Sequence, residues 1–228
     1  TTLGREGSDY SAAIFAYCSN AKNVCVWKDV PGILNADPRY FDNATLLRSL
    51  SYEEAIELSY YGASVIHPKT LQPLQRKEIP LFVKSFFKPE KAGTKVGKGL
   101  QLTPNIPCYI LRENQILISI SSLDFSYIVE ENISHIFKLL HSCRMKVHLI
   151  QNSAISFSVC IENNFDNLEA LLIQLKAKYK VSVEEPVNIF TLRHHTPEAI
   201  KEIEKNKTVL MKQITPKTVQ IVTQPPNP

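Results

Sequence analysis

Between Gln115 and Glu184 the apolar segments of this chain follow one another as strand, helix, strand, strand, helix, strand, and few folds accept that order in so short a stretch. The spacing predicts a strand over Gln115–Leu123 and a helix over Val129–Cys143, with Ile133, Ile136, Phe137 and Leu140 on one face. A strand pair follows at Lys146–Gln151 and Ala154–Ile161, then a helix at Asn167–Lys178 and a strand at Lys180–Glu184. This is the β-α-β-β-α-β order of a ferredoxin-like α+β unit. The series begins again with a strand at Val187–Leu192 and a helix capped by Thr196 with Pro197 in its first turn. Strands are expected at Thr208–Gln213 and Thr218–Thr223, and the repeat has no second helix within the 228 residues.

The first third of the chain alternates differently. Residues 9–20 read as a helix that Ser8 or Asp9 can cap, and Val24–Trp27 as a short strand before a turn at Pro31-Gly32. Ser51 and Glu54 form a capping-box pattern that opens a helix over Tyr52–Tyr61, with Gly62 as its stop. Pro68 starts a further helix to about Lys77, and Ile79–Phe87 reads as a strand. Alternating helix and strand imply an α/β layer with a largely parallel sheet. Lys, Gly and Pro dominate from Lys88 to Pro107, where periodicity fades. The expected organisation is therefore an α/β part over 1–90, a linker over 91–110, one complete ferredoxin-like unit over 111–186 and a partial one over 187–228.

Composition excludes several classes. A 44% apolar fraction supports packed cores, and a net charge of +4 without a dense Lys/Arg run argues against nucleic acid as a partner. No apolar run reaches the ~18 residues of a membrane span, so no membrane partner is expected. The five cysteines, Cys18, Cys25, Cys108, Cys143 and Cys160, include no Cys-x-x-Cys pair and sit in apolar neighbourhoods. They are expected to be buried thiols of a cytoplasmic protein, with no disulfide and no metal site. The chain opens on Thr1-Thr2 inside a strand-like stretch, which suggests a piece of a longer protein.

Two segments carry chemistry. In Thr2-Leu-Gly-Arg-Glu-Gly-Ser-Asp-Tyr10 a glycine-bearing turn opens a helix, whose free amides favour anions. Arg5 adds a planar fork for a carboxylate, Ser8 a small donor, and Asp9 an acceptor that can hold an ammonium. The plain alternative is a capped turn with a surface arginine. In Trp27-Lys-Asp-Val-Pro-Gly-Ile-Leu-Asn-Ala-Asp-Pro-Arg39 a strand runs into an acidic, proline-broken loop, and ligands of open α/β sheets bind beyond such strand ends. Lys28 can neutralise phosphate and Asp29 can hold polar groups of a nucleotide. Arg39 is either a phosphate clamp or the partner of Asp37. His67 is read as structural rather than acid-base, and His194-His195 as surface.

These two segments, with Leu50-Ser-Tyr-Glu-Glu-Ala and Tyr61-Gly-Ala-Ser-Val-Ile-His-Pro68 in the same order and spacing, strongly resemble aspartokinase. The resemblance runs from late in the kinase domain through paired ACT regulatory units and covers nearly the whole chain. It implies an amino-acid-kinase α/β sandwich followed by ferredoxin-like ACT domains, and transfer of the γ-phosphoryl of Mg-ATP to the side chain of L-aspartate. ATP and Mg2+ are then the expected cofactors. Arg5 and Ser8 would bind aspartate, Asp9 would organise the reacting groups, and Lys28, Asp29, Leu34, Arg39 and Ser64 would line the nucleotide site. Phe125, Val147, His148, Asn152 and Ser153 would fall at an amino-acid effector site, and a homodimer is expected through the ACT region.

Departures from the family pattern carry their own expectations. The 228 residues contain no Lys-Phe-Gly-Gly-Thr strand, whose lysine neutralises the transferring phosphoryl group in the family, so the polypeptide alone is expected to be inactive. Ser64 stands where the family has lysine, Lys28 where it has threonine, Leu34 where tyrosine is common, and Glu6 where glycine is common. Lys28 is expected to take over phosphate neutralisation. His148 and Ala154 replace carboxylates that hold a lysine effector, so lysine inhibition is expected to be weak or absent. Other readings are a stand-alone amino-acid sensor or dimerisation module, or a kinase of glutamate or acetylglutamate. The Trp-x-Asp…Asp-Pro-Arg loop joined to ACT units favours the aspartate enzyme; a fusion to homoserine dehydrogenase stays open, although the polar, Pro-rich tail reads as a true end.

Overall fold

The computed structural model describes residues 7–63, 65–162 and 166–225. The chain divides into two compact units, the first formed by Thr1–Leu111, Phe190–Ile203 and Gln213–Gln220 and the second by Arg112–Ile189, Glu204–Lys212 and Ile221–Pro228.

In the first unit, α1 (Gly7–Ser19) leads into β1 (Val24–Lys28), and β2 (Ser49–Leu50) precedes α2 (Tyr52–Tyr61) and α3 (Pro68–Arg76). β3 (Leu81–Ser85) and β4 (Thr94–Val96) complete a four-stranded sheet in the order β1-β3-β4-β2. β1 runs parallel to β3 and β2 parallel to β4, whereas β3 and β4 are antiparallel. Strand alternation decides what is buried. Val24 and Val26 of β1 and Leu81 and Val83 of β3 enter a core with Ala13 and Ala16 of α1, Leu58 of α2 and Leu71 and Leu74 of α3. Cys25 and Trp27 face the other way and are exposed. Cys18, on α1, is also exposed, so the expectation that all five thiols are buried fails for these two. Apolar neighbours in sequence do not bury a thiol that lies on the outward side of its strand or helix. Burial does push the Cys108 and Cys160 thiols up to about 12.

The span of α2 agrees with its sequence signals. The Ser51 hydroxyl accepts the Glu54 N–H at 3.1 Å, and Gly62, at φ +129°, closes the helix by donating to the Leu58 and Ser59 carbonyls. The Glu54 carboxylate, however, is taken by Arg193. A guanidinium offers two charge-assisted hydrogen bonds where the cap offers one neutral amide. His67 caps α3 through Nδ1, which accepts the Lys69 N–H at 3.1 Å.

β2 and β4 lack a strand signal, and β4 lies within the stretch expected to be linker. It is fixed by its first residue. The buried Thr94 hydroxyl accepts the Ile33 N–H at 2.8 Å and donates to the Leu47 carbonyl at 2.6 Å, tying three segments together. Gly93, at φ +69°, allows the approach, since a Cβ there would sit 2.1 Å from the Val83 carbonyl oxygen. β5 (Cys108–Ser121) starts seven residues before the predicted strand.

A second sheet has six strands in the order β6-β7-β5-β8-β10-β9; its residues up to Leu111, within Phe190–Ile203 and within Gln213–Gln220 belong to the first unit and the rest to the second. In chain order the elements are β5, α4 (Glu130–Ser142), β6 (Lys146–Asn152), β7 (Ser156–Glu162), α5 (Leu168–Lys176) and β8 (Lys180–Arg193). Read from β8, the first four strands stand in the ferredoxin-like order. After β8 come α6 (Pro197–Glu204), β9 (Val209–Ile214) and β10 (Thr218–Thr223). The two strands expected at 180–184 and 187–192 are one strand, with Pro186 in an exposed stretch where a missing N–H costs little. Alternation again divides the side chains. Ile116, Ile118 and Ile120 of β5 and Phe157, Val159 and Ile161 of β7 pack with Ile136 and Leu140 of α4 and Leu171 and Leu175 of α5. Leu117, Leu149, Cys160, Val187, Ile189 and Val222 form a second cluster.

Candidate active site

α1 and β1 bring two of the expected residues together. Asp9 lies in the first turn of α1, where a carboxylate is favoured by the helix dipole, and is 7% exposed. Lys28 is the last residue of β1. Its Nζ stands 2.6 Å from Asp9 Oδ2 in a charge-to-charge contact outside hydrogen-bond alignment. The Phe86 N–H donates to the Lys28 carbonyl at 2.7 Å and fixes the strand end from β3. Beside it the Lys84 ammonium lies 5.3 Å from the Trp27 ring centroid. Ser8 and Asp29 are exposed at the same ends of α1 and β1. A helix N-terminus and a strand end that together hold one cation and several oxygens can orient and partly neutralise two anionic reactants.

Leu34 and Arg39 sit on the loop that follows. Leu34 bridges to Leu46, and the loop is organised by Asn35, a residue the sequence did not single out. Its side chain donates to the Pro107 carbonyl at 2.9 Å and accepts the Thr45 N–H at 2.7 Å. Arg39 forms a fork on Asp37, with Nε 3.1 Å from Oδ1 and Nη2 2.6 Å from Oδ2. Those hydrogen bonds hold the Asp37 carboxyl below the usual range. Of the two roles open for Arg39, this geometry displays the loop partner. Arg5 and Ser64 lie outside the described residues.

The expected effector positions lie on the second unit. Phe125 is 83% exposed, at φ +61°, in the loop before α4. That loop is tied to the β6–β7 turn by the Ile128 N–H, which donates to the Ala154 carbonyl at 2.9 Å. Asn152 ends β6, and the Ser153 N–H donates to the Ser156 carbonyl. Val147 packs against the α4–α5 core, while His148 lies 3.1 Å from Glu162. Burial, then the Arg112 charge, push His148 down, which outweighs the pull of Glu162. The imidazole is therefore neutral at pH 7 and donates to a carboxylate that the sequence reading missed. Glu162 stands opposite Lys146 in the β6–β7 register, a pairing that no local pattern in the sequence marks.

A second polar cluster was also missed. His194, expected at the surface, lies with Nε2 3.0 Å from Glu54 Oε2, and its side chain is 24% exposed. Arg193 joins it on the same carboxylate.

An α/β layer carrying a cation and oxygens at its strand ends, in a chain that also forms a ferredoxin-like sheet, defines the class: the C-terminal part of an amino-acid-kinase-type sandwich followed by ACT domains. Residues 1–85 match the amino acid kinase family. The chain is 36% identical over 199 residues to lysine-sensitive aspartokinase 3 of Escherichia coli (strain K12), covering 84% of this chain and 44% of that protein. The crystal structure of E. coli aspartokinase III in complex with lysine and aspartate superposes with a TM-score of 0.79 at 31% identity, over 97% of this chain and 53% of that one. The structure of the same enzyme with aspartate and ADP gives 0.78 at 30% identity, over 98% and 54%. The chain belongs to the aspartokinase family, resembling the C-terminal portion of its members, and spans about half the length of the relatives it matches.

Proposed function

We propose that this chain is part of an aspartate kinase, which transfers the γ-phosphoryl group of ATP to the side-chain carboxylate of L-aspartate. A carboxylate oxygen attacks the γ-phosphorus, the bond to the bridging oxygen breaks, and ADP leaves. The observation that carries the reading is the Asp9–Lys28 pair, set where α1 begins and β1 ends. Joining two anions demands positioning and charge neutralisation more than acid-base chemistry. In this reading Arg5 and Ser8 hold aspartate, Asp9 organises the reacting groups, and Lys28, Asp29, Leu34, Arg39 and Ser64 line the nucleotide. Residues 1–90 belong to the catalytic domain and 111–186 and 187–228 to the regulatory region. Among the described residues no three metal-ligating side chains gather. Mg2+ in kinases is held largely by phosphates and water, so the ion enters as part of the substrate Mg-ATP.

The test is hydroxamate trapping of aspartyl phosphate. A protein that carries this chain together with a Lys-Phe-Gly-Gly-Thr strand is expected to form it from L-aspartate and Mg-ATP, and the 228-residue polypeptide alone is not. A preference for glutamate or acetylglutamate overturns the assignment, and product from the polypeptide alone overturns the expectation that it is inactive by itself.

Lysine is expected to bind weakly. With the Glu162 carboxylate engaged by His148 and no charge at Ala154, an effector ammonium loses partners worth about 1.5–3 kcal/mol each. Calorimetry should show no saturable heat at micromolar lysine, and a micromolar Kd refutes the expectation.

A further inference from the structure

Tyr109, the second residue of β5, is held from three sides. Its N–H donates to the Asn35 carbonyl at 2.7 Å. Its ring lies against Phe41, with centroids 5.3 Å apart and planes tilted by 38°. Its hydroxyl donates to the carboxylate of Glu202 on α6. Burial, then the Glu202 charge and that bond, push the phenol above its ordinary 10.0, so it remains a donor at neutral pH. Asn35, Phe41, Tyr109 and Glu202 all belong to the first unit.

Asn35 and Phe41 sit on the loop that follows β1. The base of that loop is laddered. The Asn35 N–H donates to the Thr45 carbonyl at 2.9 Å, the Thr45 N–H returns to Asn35 Oδ1 at 2.7 Å, and the Leu47 N–H donates to the Ile33 carbonyl at 2.9 Å. The tip is a turn closed on itself. The Tyr40 and Phe41 N–H groups both donate to the Asp37 carbonyl at 3.0 Å, and Arg39 forks on the Asp37 carboxylate. Asp37, Arg39 and Phe41 therefore move as one piece. Such a turn can still swing about its base, and surface loops occupy the low-stability end of a fold. The Phe41 ring on Tyr109 restrains the swing. The hydroxyl bond to α6, made to a charged acceptor, restrains the Tyr109 ring in turn.

We propose that Tyr109 is a positioning residue: held at its hydroxyl by Glu202, its ring sets Phe41, and with it the Asp37–Arg39 turn, in the arrangement that nucleotide binding requires. The consequence for the nucleotide rests on the role that the proposed function gives Leu34 and Arg39, both on this loop. The positioning of the turn rests on the contacts alone.

The test compares the wild-type chain with Tyr109→Phe and Glu202→Ala, which each remove the hydroxyl bond and keep the ring contact, with the double variant, and with Glu202→Gln, which keeps an acceptor. Glu202 is exposed, so its substitution leaves the core intact. Three quantities are read: the melting temperature, hydrogen exchange over 36–44, and Mg-ATP affinity by calorimetry. Both single variants are expected to melt close to wild type, to exchange faster over 36–44, and to bind Mg-ATP about threefold to thirtyfold more weakly. The double variant should be no worse than either single one, because both act on one bond. Glu202→Gln should recover most of the wild-type exchange and affinity. A purely structural role would move melting and leave the loop and the affinity of a folded variant alone. Wild-type exchange over 36–44 in Tyr109→Phe, additive losses in the double variant, or faster exchange with wild-type affinity each overturn the proposal. A wild-type chain that binds no Mg-ATP removes the nucleotide assignment instead, and exchange over 36–44 then decides the positioning role by itself.

Discussion

Glu54→Ala is expected to cost the first unit about 3 kcal/mol, because it takes the two-pronged carboxylate from the buried Arg193 guanidinium and leaves it only the longer contact with Glu57 and the bond to Thr218. The sole tryptophan, Trp27, belongs to this unit, so its fluorescence during urea unfolding reports on the first unit. The double variant Glu54→Met/Arg193→Met should unfold near the wild-type midpoint, since removing both charges also removes the desolvation cost of each. A loss below about 1 kcal/mol in Glu54→Ala would show an exposed, replaceable contact of the surface kind. The pair also fixes a pH dependence. Burial alone would raise the Glu54 carboxyl, but the hydrogen bonds and charge of Arg193, followed by those of His194, outweigh it and hold it below its ordinary 4.5. A carboxyl with a lowered folded value contributes its full stability above pH 4.5 and loses it as pH falls through the folded value. The acid limb of the unfolding profile should therefore be shallower in the double variant, with no difference traceable to Glu54 near neutrality.

That cluster also marks the limit of what the sequence discloses. The span of α2 is legible from Ser51 and Gly62, because capping is a local interaction. The β-α-β-β-α-β order is legible because each element buries its own apolar period. Glu54 looked like a partner for Ser51, and its actual partner lies 139 residues away, where no local pattern points. β4 went unseen because three residues in a Lys- and Gly-rich stretch carry no apolar run, and a threonine hydroxyl holds them in place. Cys25 illustrates a related gap: an apolar neighbourhood in sequence does not say which side of a strand faces solvent. At the candidate site, Asp9 and Lys28 were each legible from their motifs. Their pairing was not, since it depends on how α1 docks beside β1.

The pairing shapes the largest catalytic effect expected. In a protein carrying this chain and the Lys-Phe-Gly-Gly-Thr strand, Asp9→Ala should lower kcat for aspartyl phosphate formation by about 10²–10³-fold, the cost of removing one preorganised electrostatic group from a phosphoryl-transfer site. Two consequences of the substitution can be separated. Asp9 supplies a buried charge at the N-terminus of α1, and it also holds the Lys28 ammonium in place. Lys28→Ala removes only the second and should raise KM for Mg-ATP while changing kcat less, because a cation facing phosphate acts on nucleotide binding. If the two residues act as one unit, the double variant will be little worse than Asp9→Ala, since coupled groups are not additive. An Asp9→Ala kcat within about fivefold of wild type would leave the carboxylate no more than an anchor for Lys28. An unchanged KM in Lys28→Ala would mean that the ammonium at the end of β1 is not the replacement for the lysine missing at Ser64.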